Sequence, residues 1–238
     1  MEIVYKIFLW VKNILFPDVC ALCGGGLIGI GETQYGLCEK CKAEIVIDQG
    51  QKCNSCGKPL ISEKETCLSC RKGAEHSYNR LWVLFPYAGN FRKILTSYKF
   101  RKKTPLANFF AEKIVETISV NPDLHEAVIV PVPPRPGKIK DNGWDQIDYL
   151  VRRILKRKQN RIQVSFCLKR RKSKVQKSLN RTERMENLKG RLYLYKAAPL
   201  SALIIDDVIT TGSTMEVCAS ALREAGVKNI FGLCLFYD

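Results

Sequence analysis

The sequence predicts an α/β fold in which a mostly parallel sheet is flanked by helices, with a small cysteine-rich domain in front of it. From residue 78 onward, apolar stretches rich in β-branched residues alternate with stretches of helical periodicity. Before residue 78, eight of the 11 cysteines form four Cys-x-x-Cys pairs. A chain of 238 residues is long enough for one α/β domain and one small module.

Four strands and four helices are expected in the α/β part. The predicted strands are RLWVLFPY, AVIVPV, ALIID and NIFGLCLF, at residues 80–87, 127–132, 202–206 and 229–236. The predicted helices cover about residues 90–98, 105–118, 145–158 and 214–225. Strands that alternate with helices form parallel sheets that are covered on both faces. Ligands of such sheets bind beyond the carboxyl ends of the strands.

The paired cysteines predict two structural zinc sites. Their spacing is C-x2-C-x14-C-x2-C followed by C-x2-C-x10-C-x2-C, and two thiolates three positions apart can form half of a tetrahedral site. The simplest assignment places Cys20, Cys23, Cys38 and Cys41 on one ion and Cys53, Cys56, Cys67 and Cys70 on the other. An interleaved assignment remains open, and redox catalysis by the pairs is the rival interpretation. Gly24 and Gly57 each follow a cysteine where a tight turn favours a residue that tolerates positive φ.

The segment before the cysteines is apolar but resembles neither an export signal nor a membrane span. Lys6 and Lys12 interrupt it, it lacks a small-residue cleavage site, and it is too short to cross a bilayer. A short amphipathic helix is expected at residues 1–17, followed by the zinc-binding domain at 18–77 and the α/β domain at 78–238. Reduced thiols and a cytoplasmic location are expected in the absence of an export signal.

Basic residues are concentrated in one segment. The chain has 39 Lys and Arg against 23 Asp and Glu, a net charge of +16, and residues 151–191 hold 16 of the cations and two of the acids. Such a concentration predicts an anionic partner: the phosphates of a small molecule, nucleic acid, or both. The alternative is a solvated helix face. A track for single-stranded DNA would also need aromatic side chains for base stacking, and these are sparse in the segment.

The stretch LIIDDVITTGST, residues 203–214, predicts a ligand site. Asp206 and Asp207 follow a buried strand, and paired carboxylates suit the vicinal hydroxyls of a ribose. Residues 210–214 offer hydroxyls and backbone N–H groups at the start of a helix, and Gly212 allows close approach of the backbone. Carboxylates for sugar hydroxyls beside donors for a phosphate predict a ribose 5-phosphate site. A helix N-cap after an acidic strand end is the alternative.

Residues 203–214 closely resemble the phosphoribosyl diphosphate (PRPP) signature of type I phosphoribosyltransferases. The chain as a whole resembles the ComF-type, competence-associated branch, in which a double zinc ribbon precedes a phosphoribosyltransferase domain. The branch resemblance rests on FPYAGNFRKILTSYKF, VPVPPRPGKIKDNGWDQ and LKRRKSKVQKSLNRTERMENLKG, which occur in the family's order. It implies a type I phosphoribosyltransferase-like sheet, possession of a PRPP site, and a link to DNA uptake in natural competence.

The resemblance also implies roles for individual residues. Asp206 and Asp207 would hold the ribose hydroxyls, and Mg²⁺ would bridge the diphosphate of PRPP. The remaining PRPP contacts would come from Val208, Thr210, Thr211, Gly212, Ser213 and Thr214. Residues 168–190 would form a mobile basic loop, whose polar positions match at Lys169, Arg171, Ser173, Gln176, Arg184 and Asn187. Lys169, Arg171 and Arg184 are the cations expected to act in catalysis with the two aspartates, since cations around a departing diphosphate stabilise the transition state. His76 and His125 are expected to be incidental surface residues.

Two segments depart from the family pattern. In the region of the diphosphate-binding loop, residues 131–138, three prolines at 133, 134 and 136 have no N–H to donate, and Arg135 and Lys138 are expected to contribute charge instead. NGWDQ at residues 142–146 stands where the branch usually has Arg-Gly-Phe-Asn-Gln. Both departures favour PRPP binding over efficient transfer.

Two functions are compatible with the sequence. One is a Mg²⁺-dependent phosphoribosyltransferase. The other is a non-catalytic, PRPP-responsive module that binds single-stranded DNA among the competence proteins.

Overall fold

The structure, a computed structural model, describes residues 18–47, 50–60, 65–157, 162–171 and 190–238. The helix predicted for residues 1–17 lies outside these ranges. The chain forms two compact units, Met1–Val46 with Ala88–Phe110 and Ile47–Tyr87 with Ala111–Asp238. The two groups of paired cysteines therefore belong to different units. The domain boundaries at residues 17 and 77 stay a prediction.

The described helices and strands alternate as the sequence predicts from residue 80 onward. The helices are α1 (Ile30–Tyr35), α2 (Glu39–Glu44), α3 (Leu68–Arg71), α4 (Gly89–Lys99), α5 (Leu106–Val120), α6 (Lys138–Asn142), α7 (Gln146–Leu155) and α8 (Ser213–Glu224). The strands are β1 (Arg80–Pro86), β2 (Val128–Pro131), β3 (Leu168–Arg170), β4 (Leu192–Leu194), β5 (Ser201–Ile209) and β6 (Asn229–Tyr237). Among the described residues, no helix is both long and apolar enough to span a membrane.

The first unit joins the first group of cysteines to helix α4 and the start of α5. The Ser97 hydroxyl of α4 donates a hydrogen bond to the carbonyl of Ala21, 3.3 Å away. The side-chain amide of Asn108 donates to the carbonyl of Gln34 at 2.8 Å. The rings of Tyr98 and Phe110 meet edge to face, and both side chains are fully buried. Aromatic packing therefore gives this unit an apolar centre beside its cysteines.

The second unit is built on a parallel four-stranded sheet with the order β1-β6-β5-β2. Residues 202–205 of β5 are fully buried, as expected for a central strand that is covered on both faces. Helix α7 contacts β2 and β5, and helix α8 contacts β4, β5 and β6. The predicted mostly parallel α/β sheet with flanking helices is confirmed.

Strand β5 is longer than the sequence analysis expected. It continues through Asp206 and Asp207 to Ile209, because β6 supplies backbone partners as far as Tyr237. Its pairing with β2 ends earlier, at Pro131 and Ile205. The two aspartates therefore lie in the part of β5 that extends beyond β2.

Strands β3 and β4 form a separate antiparallel pair that the sequence analysis did not predict. They bracket residues 172–189, which lie outside the described part of the chain. Residues 168–170 were expected to belong to a loop. The pairing of Leu168 with Leu194 and of Arg170 with Leu192 shows that the start of this segment is a short strand instead.

The second group of cysteines packs against edge strand β1. The N–H of Leu81 donates to the carbonyl of Ser55 at 3.0 Å, and the Lys52 ammonium donates to the carbonyl of Val83 at 2.8 Å. Gly57 lies so close to β1 that an added Cβ would be 2.8 Å from the carbonyl oxygen of Leu81. These contacts cover the unpaired edge of the sheet.

Substitution of Gly57 by alanine should destabilise the protein more than the same substitution at Gly24. Both glycines have left-handed backbones, with φ of +78° at Gly24 and +70° at Gly57, so each alanine would cost roughly 1–2 kcal/mol in backbone strain. At Gly24 no atom lies within 4 Å of the added Cβ, whereas at Gly57 the contact with Leu81 adds about 1–3 kcal/mol of overpacking. Urea unfolding followed by circular dichroism and zinc release measures the difference. Equal losses for the two variants would contradict the packing of Gly57 on β1.

Candidate functional site

The eight paired cysteines form two clusters. Cys20, Cys23, Cys38 and Cys41 make the first, and Cys53, Cys56, Cys67 and Cys70 the second, with the sulfur atoms of each cluster within 4.8 Å of one another. In a zinc tetrahedron with Zn–S distances of about 2.3 Å, neighbouring sulfurs lie about 3.8 Å apart. Cys23 and Cys38 are separated by 3.8 Å between sulfurs, and Cys56 and Cys67 by 3.7 Å. The geometry fits two zinc sites, and each cluster contains two pairs that follow one another in the sequence.

One thiol in each cluster is prepared for metal binding by its backbone. Burial acts to raise the pKa of Cys53, but backbone N–H groups of Cys56, Cys67 and Ser55 outweigh it and lower the pKa to about 6. In the same way the pKa of Cys20 falls to about 7. Zinc binds the thiolate, so these two sulfurs are the ones most readily available to an arriving ion.

A cavity of about 200 Å³ lies at the carboxyl end of β5. It is lined by most residues of the predicted PRPP site, which are Asp206, Val208, Thr210, Thr211, Gly212, Ser213 and Thr214. Ile209, Met215, Cys234 and Arg170 complete the lining. The structure therefore brings a carboxylate, several hydroxyls and a guanidinium to one small opening at the edge of the sheet where ligands of parallel sheets bind.

The two aspartates face different surroundings, because successive residues of a strand point to opposite faces. Asp206 lines the cavity and is partly exposed. Asp207 is buried, and one of its carboxylate oxygens accepts a hydrogen bond of 2.6 Å from the side-chain amide of Gln146. The structure places only Asp206 at the cavity, and the ribose-binding role of both aspartates remains a prediction.

Gln146 belongs to a buried polar network at the start of α7. Its amide oxygen accepts from the Lys138 ammonium, which also donates to Asp145 at 2.6 Å. Asp145 caps the helix, because its other oxygen accepts from the N–H groups of Ile147 and Asp148. The acid that the NGWDQ segment gains over the family pattern thus holds Lys138 in place.

Residues 210–214, the phosphate loop, turn sharply into helix α8. Gly212 is the N-cap and has a φ of +75°, a conformation that favours glycine. The hydroxyls of Thr211 and Ser213 lie 2.9 Å apart. The first turn of a helix leaves backbone N–H groups without helical partners, and the helix dipole makes that end positive. Hydroxyls and N–H groups together suit the oxygens of a phosphate.

Arg170 is the cation of the cavity. Its Nε atom is buried and has no hydrogen-bond partner among the described residues, and the same holds for Nη1 of nearby Arg191. Burial lowers the pKa of Arg170, and Arg135 and Arg191 lower it further, while Asp206 acts in the opposite direction. Buried polar groups are almost always satisfied, so the unsatisfied Nε of Arg170 in a cavity lined by a hydroxyl-rich loop indicates an anion site.

Among the described residues, the cations chosen from the sequence do not line this cavity. Lys169 on β3 and Arg171 just after β3 flank Arg170. The Lys169 ammonium lies 4.0 Å from the ring centre of Tyr195, and the Arg171 guanidinium lies 4.8 Å from that of Tyr193. Arg135 is exposed. Arg184 lies outside the described residues, as do Ser173, Gln176 and Asn187. Catalytic roles for Lys169, Arg171 and Arg184 stay predictions.

Sequence reasoning overlooked Arg170, Gln146 and His76. The alternation of a strand over Leu168–Arg170 would have singled out Arg170, because buried Leu168 places position 170 on the inner face. Gln146 carried no signal beyond the NGWDQ motif.

His76 was expected on the surface, but its side chain is 11% exposed and lies between Cys70 and Glu216. That expectation was wrong, because the segment after the second cluster packs against α8.

The fold and the site define an α/β protein with a parallel sheet, a candidate phosphate site at its carboxyl edge and two four-cysteine zinc clusters. Residues 11–71 match the model of a family described as the double zinc ribbon domain. The chain is 26% identical to competence protein ComFC of Streptococcus pneumoniae, over 89% of this chain and 96% of that protein. It is 27% identical to competence protein ComFC of Bacillus subtilis, over 80% and 79% of the two chains.

A third relative carries a different name. The chain is 23% identical to DNA utilization protein YhgH of Escherichia coli O6:H1, over 85% of this chain and 97% of that protein. The chain is therefore similar along most of its length to the ComFC competence proteins, and it also matches the double zinc ribbon domain.

Metal analysis should find two zinc ions per chain, because each cluster offers four sulfurs within 4.8 Å of one another. Cys53→Ser should remove one ion and Cys20→Ser the other, since loss of one ligand opens a site that binds through all four. Inductively coupled plasma spectrometry on the purified variants provides the count. A single ion in the unaltered protein would contradict the two-cluster assignment.

Proposed function

We propose that the protein binds PRPP with Mg²⁺ and acts as a phosphoribosyltransferase. The observation that carries the proposal is the convergence of Asp206, the phosphate loop and the unsatisfied Arg170 on one cavity of about 200 Å³. The N–H and hydroxyl groups of the loop and the guanidinium of Arg170 are donors that suit a phosphate. Carboxylates suit the ribose hydroxyls and a divalent cation.

Each group has a defined part in binding. The 5-phosphate accepts hydrogen bonds from the N–H groups and hydroxyls of residues 210–214. Asp206 accepts from the ribose hydroxyls, and Gln146 holds Asp207 in a fixed orientation beside it. Arg170 balances the phosphate charge and gains the acceptor that its Nε lacks. Carboxylate and phosphate oxygens are the ligands that Mg²⁺ prefers, and the ion supplies partial neutralisation of the diphosphate.

Transfer breaks the bond between ribose C1 and the diphosphate oxygen and forms a bond from C1 to the acceptor nucleophile. Diphosphate leaves with the electron pair, so positive groups around it stabilise the transition state more than the bound substrate. No cysteine is needed as a nucleophile, and burial together with Asp206 raises the pKa of Cys218 and Cys234 at the site. Both thiols therefore stay protonated at neutral pH.

The predicted diphosphate loop supports binding better than rapid transfer. Pro133, Pro134 and Pro136 have no N–H, and the N–H groups of Val132 and Lys138 donate to the carbonyls of Ile205 and Arg135. The Lys138 ammonium is engaged by Asp145 and Gln146. Few donors of this segment are therefore available to a diphosphate, and slow turnover is expected.

The biological setting follows from the names of the relatives. Competence proteins and a DNA utilization protein are similar to this chain over most of its length. This similarity supports a role in DNA uptake alongside other competence proteins. Zinc-ligating cysteines must stay reduced, which fits the cytoplasm. We place the zinc-binding domain at residues 18–77 and the phosphoribosyltransferase domain at 78–238.

Calorimetric titration with Mg²⁺ and PRPP tests the site. The unaltered protein should bind, and a variant with Asp206→Asn and Asp207→Asn should not, because the amides lose the charge that holds the hydroxyls and the metal. Arg170→Gln should weaken binding at least tenfold, equivalent to about 1.4 kcal/mol.

Arg171→Gln is the matched control for Arg170→Gln. It removes the same group from the next residue, just after the end of β3, where the guanidinium stacks on Tyr193 and does not line the cavity. Binding close to that of the unaltered protein is expected. If Arg171→Gln were the more damaging of the two, the assignment of Arg170 would fail. Undiminished binding by the double aspartate variant would reject the site itself.

A second candidate function is binding of single-stranded DNA by the outer face of β3 and β4. Two tyrosines and three cations meet there: Lys169 and Lys196 lie over the Tyr195 ring, and Arg171 over the Tyr193 ring. Tyr195 is 37% exposed. Aromatic rings stack on bases while adjacent cations bind phosphates, so this face has the composition of a single-strand platform.

Tyr193→Ala with Tyr195→Ala should weaken binding of an oligothymidine, because stacking contributes roughly 1–3 kcal/mol per base. The corresponding pair of Phe substitutions keeps both rings and should bind like the unaltered protein. Fluorescence anisotropy at several salt concentrations measures the affinity, which should fall steeply as salt increases. Equal affinities of the Ala and Phe variants would exclude base stacking on this face.

A further inference from the structure

We propose that the second zinc cluster positions the phosphate loop through His76 and Glu216. The proposal rests on the PRPP site proposed above and on zinc occupancy of the second cluster. It assigns the second zinc ribbon a part in ligand binding, and it makes His76 and Glu216 positioning residues.

The phosphate loop has a second cavity on its other side, with a volume of about 160 Å³. Residues 210–213 form one wall of this cavity, and Cys56, Cys67 and Cys70 contribute to the opposite wall. Every residue that lines it belongs to the second unit. The loop thus lines both the candidate ligand cavity and the cavity beside the metal cluster. A change in the position of the cluster can therefore alter the ligand cavity by moving this loop.

A continuous set of polar contacts joins the cluster to the loop. His76 Nε2 lies 3.6 Å from the sulfur of Cys70, and His76 Nδ1 lies 3.3 Å from a carboxylate oxygen of Glu216. The other oxygen of Glu216 accepts a hydrogen bond of 2.8 Å from the N–H of Ser77. The ring of His76 is also stacked on Tyr78, with centres 4.7 Å apart. The histidine is therefore fixed on three sides.

Glu216 transmits this contact to the loop because it lies in the first turn of α8. Its N–H donates to the carbonyl of Gly212 at 2.9 Å, which is the hydrogen bond that closes the turn over the loop. The side chains of His76 and Glu216 are only 11% and 19% exposed, so water screens their interaction weakly. A shift of the Glu216 carboxylate would therefore move the first turn of α8 and the phosphate loop that leads into it.

The C-terminal end of α8 also contacts the segment that contains His76 and Ser77. The Arg223 guanidinium donates to the carbonyl of Ser77 at 2.9 Å and to the side chain of Asn79 at 3.2 Å. Residues 76–79 therefore run along α8 and contact it near both ends. This arrangement leaves the N-terminal contact, at Glu216, as the one adjacent to both the metal cluster and the loop.

Substitutions at Glu216 test the proposal without removing a zinc ligand. Glu216→Ala should retain two zinc ions per chain and bind Mg²⁺–PRPP at least tenfold more weakly in calorimetry. Glu216→Gln keeps an acceptor for Ser77 and should recover most of the affinity. Glu224→Ala is the matched control, since it removes an exposed carboxylate from the far end of the same helix, where the carboxylate contacts Ser220.

Hydrogen exchange gives a readout that does not require PRPP. In the ligand-free, zinc-loaded protein, amides of residues 210–216 should exchange several-fold faster in Glu216→Ala than in Glu216→Gln or Glu224→Ala. Failure of the unaltered protein to bind PRPP would reject the proposed function, and the exchange comparison would still decide the positioning role. Unchanged exchange and unchanged affinity in Glu216→Ala would overturn it.

Discussion

The pairing of β5 with β6 is the constraint on which the candidate site depends. The two strands stay in register from Ser201 and Asn229 to Ile209 and Tyr237, and the N–H of Asp238 closes the pair on the carbonyl of Ile209. Strand β2 stops four residues earlier on the other side. Gln146 reaches into the space beyond the end of β2 and donates a hydrogen bond to the carboxylate of Asp207. A shorter β6 would leave the aspartates and the loop without a rigid base.

The antiparallel pair of β3 and β4 separates two kinds of cation, because successive residues at the end of β3 point to opposite faces. Arg170 faces inward to the cavity, whereas Lys169 and Arg171 stack outward on tyrosines. An inward arginine whose Nε has no acceptor in the described part of the chain carries a desolvation cost that an arriving phosphate can offset. The outward cations keep their solvent contact and carry no such cost. The same three residues thus place one cation in the cavity and two cations on the opposite, solvent-exposed face.

Much of this architecture was predictable from the sequence, and the failures have physical reasons. Apolar runs with β-branched residues identified the four strands of the parallel sheet, and the spacing of the cysteines identified both metal clusters. The inward position of Arg170 was missed because a three-residue strand in a basic segment has too few apolar residues to reveal its alternation. The contact of Gln146 with Asp207 joins residues 61 positions apart and depends on the end of β2. The local sequence pattern does not indicate a contact between residues so far apart in the chain.

The two zinc ribbons have similar cysteine spacing, but they pack against different parts of the protein. The turn after Cys23 leaves open space around Gly24, whereas the turn after Cys56 presses Gly57 onto the backbone of β1. The first cluster is accompanied by α4, and the second by the edge of the central sheet and the start of α8. A cluster that covers a sheet edge and touches the helix of a ligand loop contributes to the shape of that loop in addition to its own stability. The contacts of Gly57 with β1 and of His76 with Glu216 therefore distinguish the second cluster from the first.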